Sequence, residues 1–526
     1  MLLVAIVAIV FRQYWFASGD QNLYFVMANK IVDTSLYKND DFFISDQQEL
    51  TFFPYFLAAL QICFKDIQIP TFILHFFSIF LNFYTIAKIT MKIFNNRMIV
   101  YVTSSMMLFP TWFLTFDFVL VPLELAMPIS MMGIYYFLEN KNKQAMIIFG
   151  IAGLIHPLSI IFYVVAIFSY MLYHKKFKEL LKSAFIFTAI LSPLILNVLL
   201  KSNALRNTHA QDVEQLNLIN QLYFLKFINP LIWGLSDWIN VVSYCVPLVL
   251  ILYYRNKRKF MNESDKKISF MFLITILIFV ISVLIDKFYP TMFIFQLQSQ
   301  RAFIFFRYIV LAYISWAIVK ANQNKKSPLM IASSILVIIA FYITQYPLYI
   351  FAWILFYISY FYSIKLSFIH KKQEISVLII ATTILFSFTM IGTASLINTR
   401  KDLPYAVYFN SPETKAWIDS QFWAHDNTEK NATFLTPYDT FNNFRVYSQR
   451  NVVYGTWDDS LVIFSHEYAV KLLKKRADFS NYNQLNETRL LDLAIKYEAN
   501  FIVIHSGKTL NLTLTYSNAY YEIYSI

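Results

Sequence analysis

Long runs of apolar residues alternate with short polar segments through most of this chain. A helix that crosses a membrane needs about 20 apolar residues, and the runs that approach this length predict about thirteen spanning helices. They lie at 1–16, 70–92, 98–115, 122–138, 145–155, 158–173, 183–200, 238–254, 268–285, 303–320, 328–345, 347–363 and 375–394. The pattern predicts an α-helical polytopic membrane domain over residues 1–394.

The final segment, residues 395–526, has the mixed pattern of a small α/β domain in water. Ser411-Pro412-Glu413 is typical of a helix start, because serine caps the helix, proline needs no N–H and an acid faces the positive helix end. Apolar spacing then predicts strands at 432–436, 451–454 and 501–504 and helices at 461–476 and 485–499.

The segment 51–64 is apolar but short, and we interpret it as a helix on the membrane surface. If it does not cross and the N-terminus is cytoplasmic, every dense basic cluster between spans falls on the cytoplasmic side, as the positive-inside rule requires. Residues 17–69 then form an outer loop, and the domain at 395–526 is extracytoplasmic. This predicts a multi-pass membrane protein with a cytoplasmic N-terminus.

The composition supports a lipid environment and excludes two other classes of protein. Only 14% of the residues are charged and 58% are hydrophobic, whereas soluble proteins carry roughly 25% charged residues. The net charge of +12 lies in short clusters between apolar runs, so the bilayer is the expected partner and nucleic acid is not. The two cysteines, Cys63 and Cys245, indicate neither a disulfide framework nor a cysteine metal site.

Three acids of the first outer loop are candidate catalytic residues. Asp20 follows the first predicted span in Gly19-Asp20-Gln21, where a carboxylate can act as a general base or hold a divalent metal such as Mg²⁺ or Mn²⁺. The neighbouring acids Asp40 and Asp41 could share that metal with Asp20. A solvated loop acid, a helix cap or a turn between surface helices would explain the same residues without catalysis.

Polar residues at the outer ends of later spans are candidates for substrate binding. Glu124 lies at the rim of an apolar run, where an acid is costly unless it is paired or faces a wet cavity. His156 and Pro157 interrupt a helix, and such breaks in membranes usually line a cavity. Arg301 can hold a phosphate through two parallel hydrogen bonds, and Gln298 and Lys287 lie in the same predicted outer loop, 286–301. The alternatives are a wet turn at His156 and an arginine that extends to lipid head groups.

Several common catalytic motifs are absent from the sequence. The chain has only 8 glycines and contains no phosphate-binding glycine-rich loop. HExxH, GxSxG and an Asp-x-Asp pair in a soluble domain are also missing. The sequence therefore contains no recognisable site for a soluble nucleotide.

An acid after the first helix, many spans, polar residues on the outer side and a closing α/β domain resemble the GT-C class of membrane glycosyltransferases. That class includes protein O-mannosyltransferases, the aminoarabinose transferase of lipid A and the catalytic subunit of oligosaccharyltransferase. More specifically, the chain resembles an uncharacterised bacterial group of GT-C-like membrane proteins, which implies a bacterial inner or plasma membrane. The matching residues are Gly19-Asp20-Gln21, Tyr24, Tyr37 to Asp41, Gly153 to Pro157, Gln298 to Arg301, Trp423, Asn427-Thr428, Ala432, Phe434-Leu435, Pro437, Phe444-Arg445, Ser448 and Arg450.

The resemblance implies that a sugar is transferred from a polyprenyl-phosphate-linked donor to a glycan, lipid or protein acceptor on the non-cytoplasmic side. Asp20, with Asp40 or Asp41 next, would be the base or metal ligand, and Arg301 would hold the phosphate. The chain lacks a WWDYG-like motif, so protein N-glycosylation is not implied. The alternatives are a transporter or flippase for lipid-linked glycans, a polymerase or ligase of another membrane fold, and an inactive relative that serves as a scaffold.

Overall fold

The structure is a computed structural model that describes residues 1–12, 14–45, 50–64, 66–107, 119–201, 208–222, 228–323, 411–438, 440 and 442–526. The predicted spans at 328–345, 347–363 and 375–394 lie outside these ranges, as do the end of the span at 98–115 and the start of the C-terminal domain.

The membrane part contains fourteen α-helices among the described residues. They are α1 (Leu2–Arg12), α2 (Gln21–Val32), α3 (Phe53–Cys63), α4 (Gln68–Phe94), α5 (Arg97–Met106), α6 (Pro122–Leu138), α7 (Asn142–Ile155), α8 (Ile161–Tyr173), α9 (Phe177–Lys201), α10 (His209–Asn220), α11 (Leu235–Lys257), α12 (Glu263–Phe288), α13 (Met292–Leu297) and α14 (Ile304–Gln323). Short 3₁₀ helices occupy Asp41–Ser45, Pro157–Ser159, Pro230–Ile232 and Ser299–Phe303.

By length and composition, 4 helical segments of the described chain can cross a membrane: Gln68–Phe94, Phe177–Leu200, Glu263–Phe288 and Met292–Lys320. Together with the shorter apolar helices, they make the protein a multi-pass integral membrane protein. The predicted number of about thirteen spans is not confirmed.

Two of the predicted N-terminal elements are helices of the same modest length. The span predicted at 1–16 is an 11-residue helix, Leu2–Arg12, and its Ala5 and Ala8 are fully buried. The helix Phe53–Cys63 also has 11 residues, which is about 16 Å at the α-helical rise. A bilayer core is about 30 Å thick, so neither helix is long enough to cross it by itself. The surface location of Phe53–Cys63 stays a prediction.

Small residues allow the membrane helices to pack closely. A Cβ atom on Gly150 of α7 would lie 2.7 Å from a side-chain carbon of Ile190 on α9. A Cβ atom on Gly133 of α6 would lie 3.0 Å from the Phe149 ring. Without a hydrophobic force between helices in lipid, such close van der Waals contact is a main source of their association.

A buried ion pair holds the end of the bundle that carries the basic loop at 255–259. The Arg255 Nη2 atom donates to Asp265 Oδ2 over 2.6 Å, and the Tyr313 hydroxyl donates to Asp265 Oδ1 over 2.7 Å. The Arg255 guanidinium also lies 4.5 Å from the Trp316 ring centroid. Helices α11, α12 and α14 are therefore joined by polar contacts that avoid an unpaired charge in a low-dielectric environment.

The C-terminal domain has four α-helices and a 5-stranded sheet of order β2-β1-β3-β5-β4 in its described residues. The helices are α15 (Pro412–Asn427), α16 (Arg445–Ser448), α17 (His466–Asp478) and α18 (Glu487–Lys496), and 3₁₀ helices lie at Asp458–Ile463 and Tyr482–Gln484. The strands are β1 (Thr433–Leu435), β2 (Asn451–Val452), β3 (Phe501–His505), β4 (Thr513–Ser517) and β5 (Tyr521–Ser525).

The sheet combines parallel and antiparallel strands. β1 pairs parallel with both β2 and β3, whereas β5 pairs antiparallel with β3 and β4. Ser411 caps α15 as predicted, because its Oγ accepts a hydrogen bond from the Thr414 N–H over 3.1 Å. The predicted strands at 432–436, 451–454 and 501–504 correspond to β1, β2 and β3, which form the parallel part. The hairpin β4-β5 is not among the predicted elements, although Leu512, Leu514 and Tyr516 alternate with polar residues in and before β4.

A buried ion cluster joins the C-terminal domain to the first loop of the membrane part. Arg445 donates from Nε and Nη2 to the two oxygens of Asp40, over 2.6 and 2.9 Å. Its Nη1 atom donates to Asp458 over 2.8 Å. The side chains of all three residues are at most 1% exposed. The N–H groups of Phe42 and Val452 also donate to Asp40, so this carboxylate has four donors.

We expect Arg445→Met to destabilise the docked C-terminal domain by about 3–5 kcal/mol, because Asp40 would keep a buried negative charge without its main partner. The measurement is proteolytic cleavage of the domain against denaturant concentration in detergent-purified protein. The control is Arg489→Met, whose arginine pairs with Asp478 at the surface and should cost less than about 1 kcal/mol. Equal effects of the two changes would contradict the importance of the cluster.

Candidate functional site

A tight turn fixes the position of Asp20 at the start of α2. Ala17 and Gly19 both have φ of 54°, in the left-handed region that glycine adopts without strain. The Gln21 side chain holds this turn, because its Oε1 accepts from the Ala17 N–H over 2.7 Å and its Nε2 donates to the Tyr14 hydroxyl over 3.0 Å. Asp20 therefore lies at the positive end of a helix.

Arg301 is held by two predicted site residues that come from different parts of the chain. Gln298 ends α13 with φ of 47°, and its Oε1 accepts from Arg301 Nε over 2.5 Å. His156 follows the last residue of α7, and its Nε2 lies 3.3 Å from Arg301 Nη1. The break at His156-Pro157 thus brings a ring nitrogen to the arginine.

Asp20 and Arg301 lie close enough to interact electrostatically. Burial raises the pKa of Asp20 above its usual value, and the Arg301 guanidinium partly opposes this shift. Burial also lowers the pKa of His156 to about 3, and Arg301 lowers it further by charge repulsion. His156 is therefore neutral near pH 7, and its Nε2 can accept a hydrogen bond from Arg301. We refer to Asp20, His156, Gln298 and Arg301 as the Arg301 group.

The Arg301 guanidinium keeps hydrogen-bond capacity in this arrangement. A guanidinium has five N–H donors in a planar fork, and two of them are directed at Gln298 and His156. The other N–H groups have no acceptor among the residues that the structure describes. They are suited to two oxygens of a phosphate, which is the anion that such a fork matches best.

Glu124 belongs to a second polar cluster beside this group. Its Oε1 lies 2.9 Å from His75 Nδ1, and both side chains are buried. The His75 ring is stacked obliquely against Tyr14, with 4.8 Å between the ring centroids, and Tyr14 accepts from Gln21. The sequence argument required a partner for Glu124 but did not name His75. The signal was available, since a histidine within an apolar run is costly without a partner.

The other predicted site residues have different surroundings. Asp40 is enclosed by the ion cluster with Arg445, and Asp41 pairs with Lys475 over 2.7 Å. Neither shares an ion-pair or hydrogen-bond partner with Asp20 in the described part of the chain. The structure thus gives Asp40, predicted as catalytic, the contacts of a docking residue. Lys287 is exposed, with its Nζ 5.5 Å from the Phe288 ring centroid, and has no contact with the Arg301 group there.

The predicted metal site has one candidate ligand in this arrangement. Within the described residues, no group of three or more His, Cys, Asp or Glu side chains is placed to hold a metal ion. Near Arg301 the structure offers the single carboxylate of Asp20. A lone carboxylate beside a guanidinium is not by itself a donor set for Mg²⁺ or Mn²⁺, so no catalytic step is assigned to a metal.

A family model described as a domain of unknown function (DUF6798) matches residues 415–460. This stretch contains α15, β1, β2 and two members of the ion cluster, Arg445 and Asp458. No curated protein matches the chain in sequence.

The fold is similar to that of two kinds of solved membrane protein. One is the archaeal oligosaccharyltransferase AglB from Archaeoglobus fulgidus, in complex with an inhibitory peptide and a dolichol-phosphate; it has 12% identity and a TM-score of 0.44, over 96% of this chain and 68% of that one. The other is ArnT from Cupriavidus metallidurans bound to undecaprenyl phosphate, with 11% identity and a TM-score of 0.45, over 99% of this chain and 96% of that one.

We expect Gln298→Gly and Gln298→Ile to differ in stability although both remove the hydrogen bond to Arg301. Glycine adopts the left-handed conformation freely, whereas isoleucine should cost about 1–2 kcal/mol at this position. The measurement is the thermal unfolding of both variants in detergent. Equal melting temperatures would show that the backbone at this residue is not strained.

Proposed function

We propose that the protein is a membrane glycosyltransferase that transfers a sugar from a polyprenyl-phosphate-linked donor to an acceptor hydroxyl on the non-cytoplasmic side of the membrane. The observation that supports this proposal is that Asp20 and Arg301 interact electrostatically, so that a carboxylate lies near a guanidinium with N–H groups left for a phosphate. His156 and Gln298 orient the cation.

Arg301 binds the donor phosphate and stabilises it as the leaving group. Its N–H groups that face neither Gln298 nor His156 donate to phosphate oxygens. Negative charge on the phosphate grows as the bond to the sugar breaks, and a preorganised cation in a dry site stabilises that charge strongly. Two neutral partners for Arg301 suit this role, because they orient the guanidinium without neutralising it.

Asp20 is the general base of the reaction. It takes the proton of the acceptor hydroxyl as the acceptor oxygen bonds to the anomeric carbon, and the sugar–phosphate bond breaks toward the lipid. The buried surroundings raise the pKa of Asp20, and a base is most effective when its pKa approaches the working pH. Glu124 and His75 lie beside the turn that holds Asp20 and line the same region.

We expect Asp20→Asn to reduce sugar transfer by about 10²–10⁴-fold, the usual contribution of a general base. Its binding of polyprenyl phosphate should stay within a few fold of wild type. The assay follows transfer of labelled sugar from a polyprenyl-phosphate donor by purified protein in lipid. The matched control is Asp33→Asn in the same loop, where the acid pairs with Lys430 at the surface.

Transfer at the wild-type rate by Asp20→Asn would overturn the proposal. If the protein is instead a flippase, the same experiment in reconstituted vesicles should give a different result. There the labelled lipid would move between leaflets, with no sugar transferred, and Asp20→Asn would not change the rate of movement.

In a plot of kcat/KM against pH, the acidic limb is the range in which the rate falls as the pH falls. This limb should report the pKa of Asp20. Activity requires the ionised carboxylate, so it is present above this pKa and is lost as the pH falls through it. The limb should therefore lie above the usual aspartate value of about 3.9. Arg301→Gln should move it to higher pH, because Arg301 lowers the pKa of Asp20, whereas Arg301→Lys retains the charge and should leave it in place. The measurement is kcat/KM against pH for all three proteins.

A further inference from the structure

The C-terminal domain contacts both segments that carry the Arg301 group. On one side it binds α2, which begins directly after Asp20. The Asn29 amide donates to the Val446 carbonyl over 3.1 Å, and the Tyr37 hydroxyl donates to the Arg445 carbonyl over 2.9 Å. Asn29 is 6% exposed and Tyr37 is 1% exposed, so these are interior contacts.

On its other side the domain binds α13, the helix that leads into Gln298 and Arg301. The Gln296 amide donates to the Ile463 carbonyl over 2.6 Å. Met292 and Phe295 of α13 are buried in the same apolar cluster as Leu461 and Ile463 of the domain. Helix α13 is thus held partly by the C-terminal domain and not by the membrane helices alone.

The connection from Gln296 to Arg301 is short and contains several hydrogen bonds. Gln298 follows two residues later, and its N–H donates to the Phe295 carbonyl over 3.1 Å. The Arg301 N–H donates to the Gln298 carbonyl over 2.8 Å, and Arg301 Nε donates to the Gln298 side chain. A shift of α13 would therefore move the guanidinium relative to Asp20, which is held from the other side.

We infer that the C-terminal domain is a positioning device for the donor site, and that Gln296 is the positioning residue that transmits its docking to Arg301. This inference rests on the proposed function for its catalytic consequence. It assigns the domain a role in binding the donor phosphate. If a binding group such as the Arg301 guanidinium is displaced by about 1 Å, most of its contribution to the site is lost.

The chain offers a closely matched control. Gln215 of α10 donates to the Val462 carbonyl over 2.7 Å, one residue before the carbonyl that Gln296 uses. Gln215→Leu and Gln296→Leu therefore each remove one amide hydrogen bond from the same short helix of the domain. Only Gln296 lies on the segment that leads to Arg301, since α10 carries no member of the Arg301 group.

The experiment compares the two variants as full-length protein in detergent with two measurements. The first is the Kd for undecaprenyl phosphate, used as the probe of the donor site. Gln296→Leu should raise it about fivefold, the effect of one hydrogen bond of average strength, and Gln215→Leu should not. The second is hydrogen exchange of the backbone amides at 298–303, which Gln296→Leu should accelerate and Gln215→Leu should leave unchanged.

Equal changes in both variants, or no change in either, would overturn the inference. In an assay of sugar transfer, Gln296→Leu should raise the donor KM more than it lowers kcat, a split that loss of folded protein would not produce. If the wild type does not bind undecaprenyl phosphate, the proposed function fails. Hydrogen exchange then still decides whether Gln296 positions residues 298–303.

Discussion

Arg445 extends from the C-terminal domain to the first loop of the membrane part, where its guanidinium lies between the carboxylates of Asp40 and Asp458. Burial would lower the pKa of this arginine, but the two carboxylates raise it above its usual range. A buried charge of this kind is tolerated only with its partners in place, so the cluster permits one docked arrangement of the domain. Asp458 also begins the 3₁₀ helix that contacts α10 and α13. The contacts that hold α13, the helix that leads to Gln298 and Arg301, therefore depend on the same ion cluster.

The cost of burying an unpaired polar group shapes the rest of the molecule as well. Asp265 is satisfied by Arg255 and Tyr313, and Glu124 is paired with His75. The Arg301 group differs from these clusters within the described chain. Some N–H groups of Arg301 have no acceptor among the described residues. The Asp20 carboxylate accepts no side-chain hydrogen bond there. Hydrogen-bond capacity that the fold leaves unused in a buried place is the physical mark of a site for a ligand.

Local patterns predicted much of this arrangement. The proline break placed His156 at a helix end, and the cost of a buried acid required a partner for Glu124. It was harder to predict which residues lie together in one polar or ion cluster. Asp40 and Arg445 are separated by 405 positions in the chain. No pattern in the sequence around either residue indicates that the two form an ion pair. An acid pair in an outer loop has the same local pattern whether it serves catalysis or docking, so Asp40 and Asp41 were grouped with Asp20. The hairpin β4-β5 was not predicted, although Leu512, Leu514 and Tyr516 alternate with polar residues there.

The sequence by itself determined the lipid environment, the helical membrane domain, the parallel strands of the C-terminal domain and the candidate residues at helix ends. These features depend on properties that act within about 20 neighbouring residues, such as apolar length, helix capping and proline breaks. The tertiary structure decided which of the candidates share partners. It joined His156 to Arg301, His75 to Glu124 and Arg445 to Asp40, because the partner of a buried charge is chosen by the packing of distant segments and leaves no trace in local spacing.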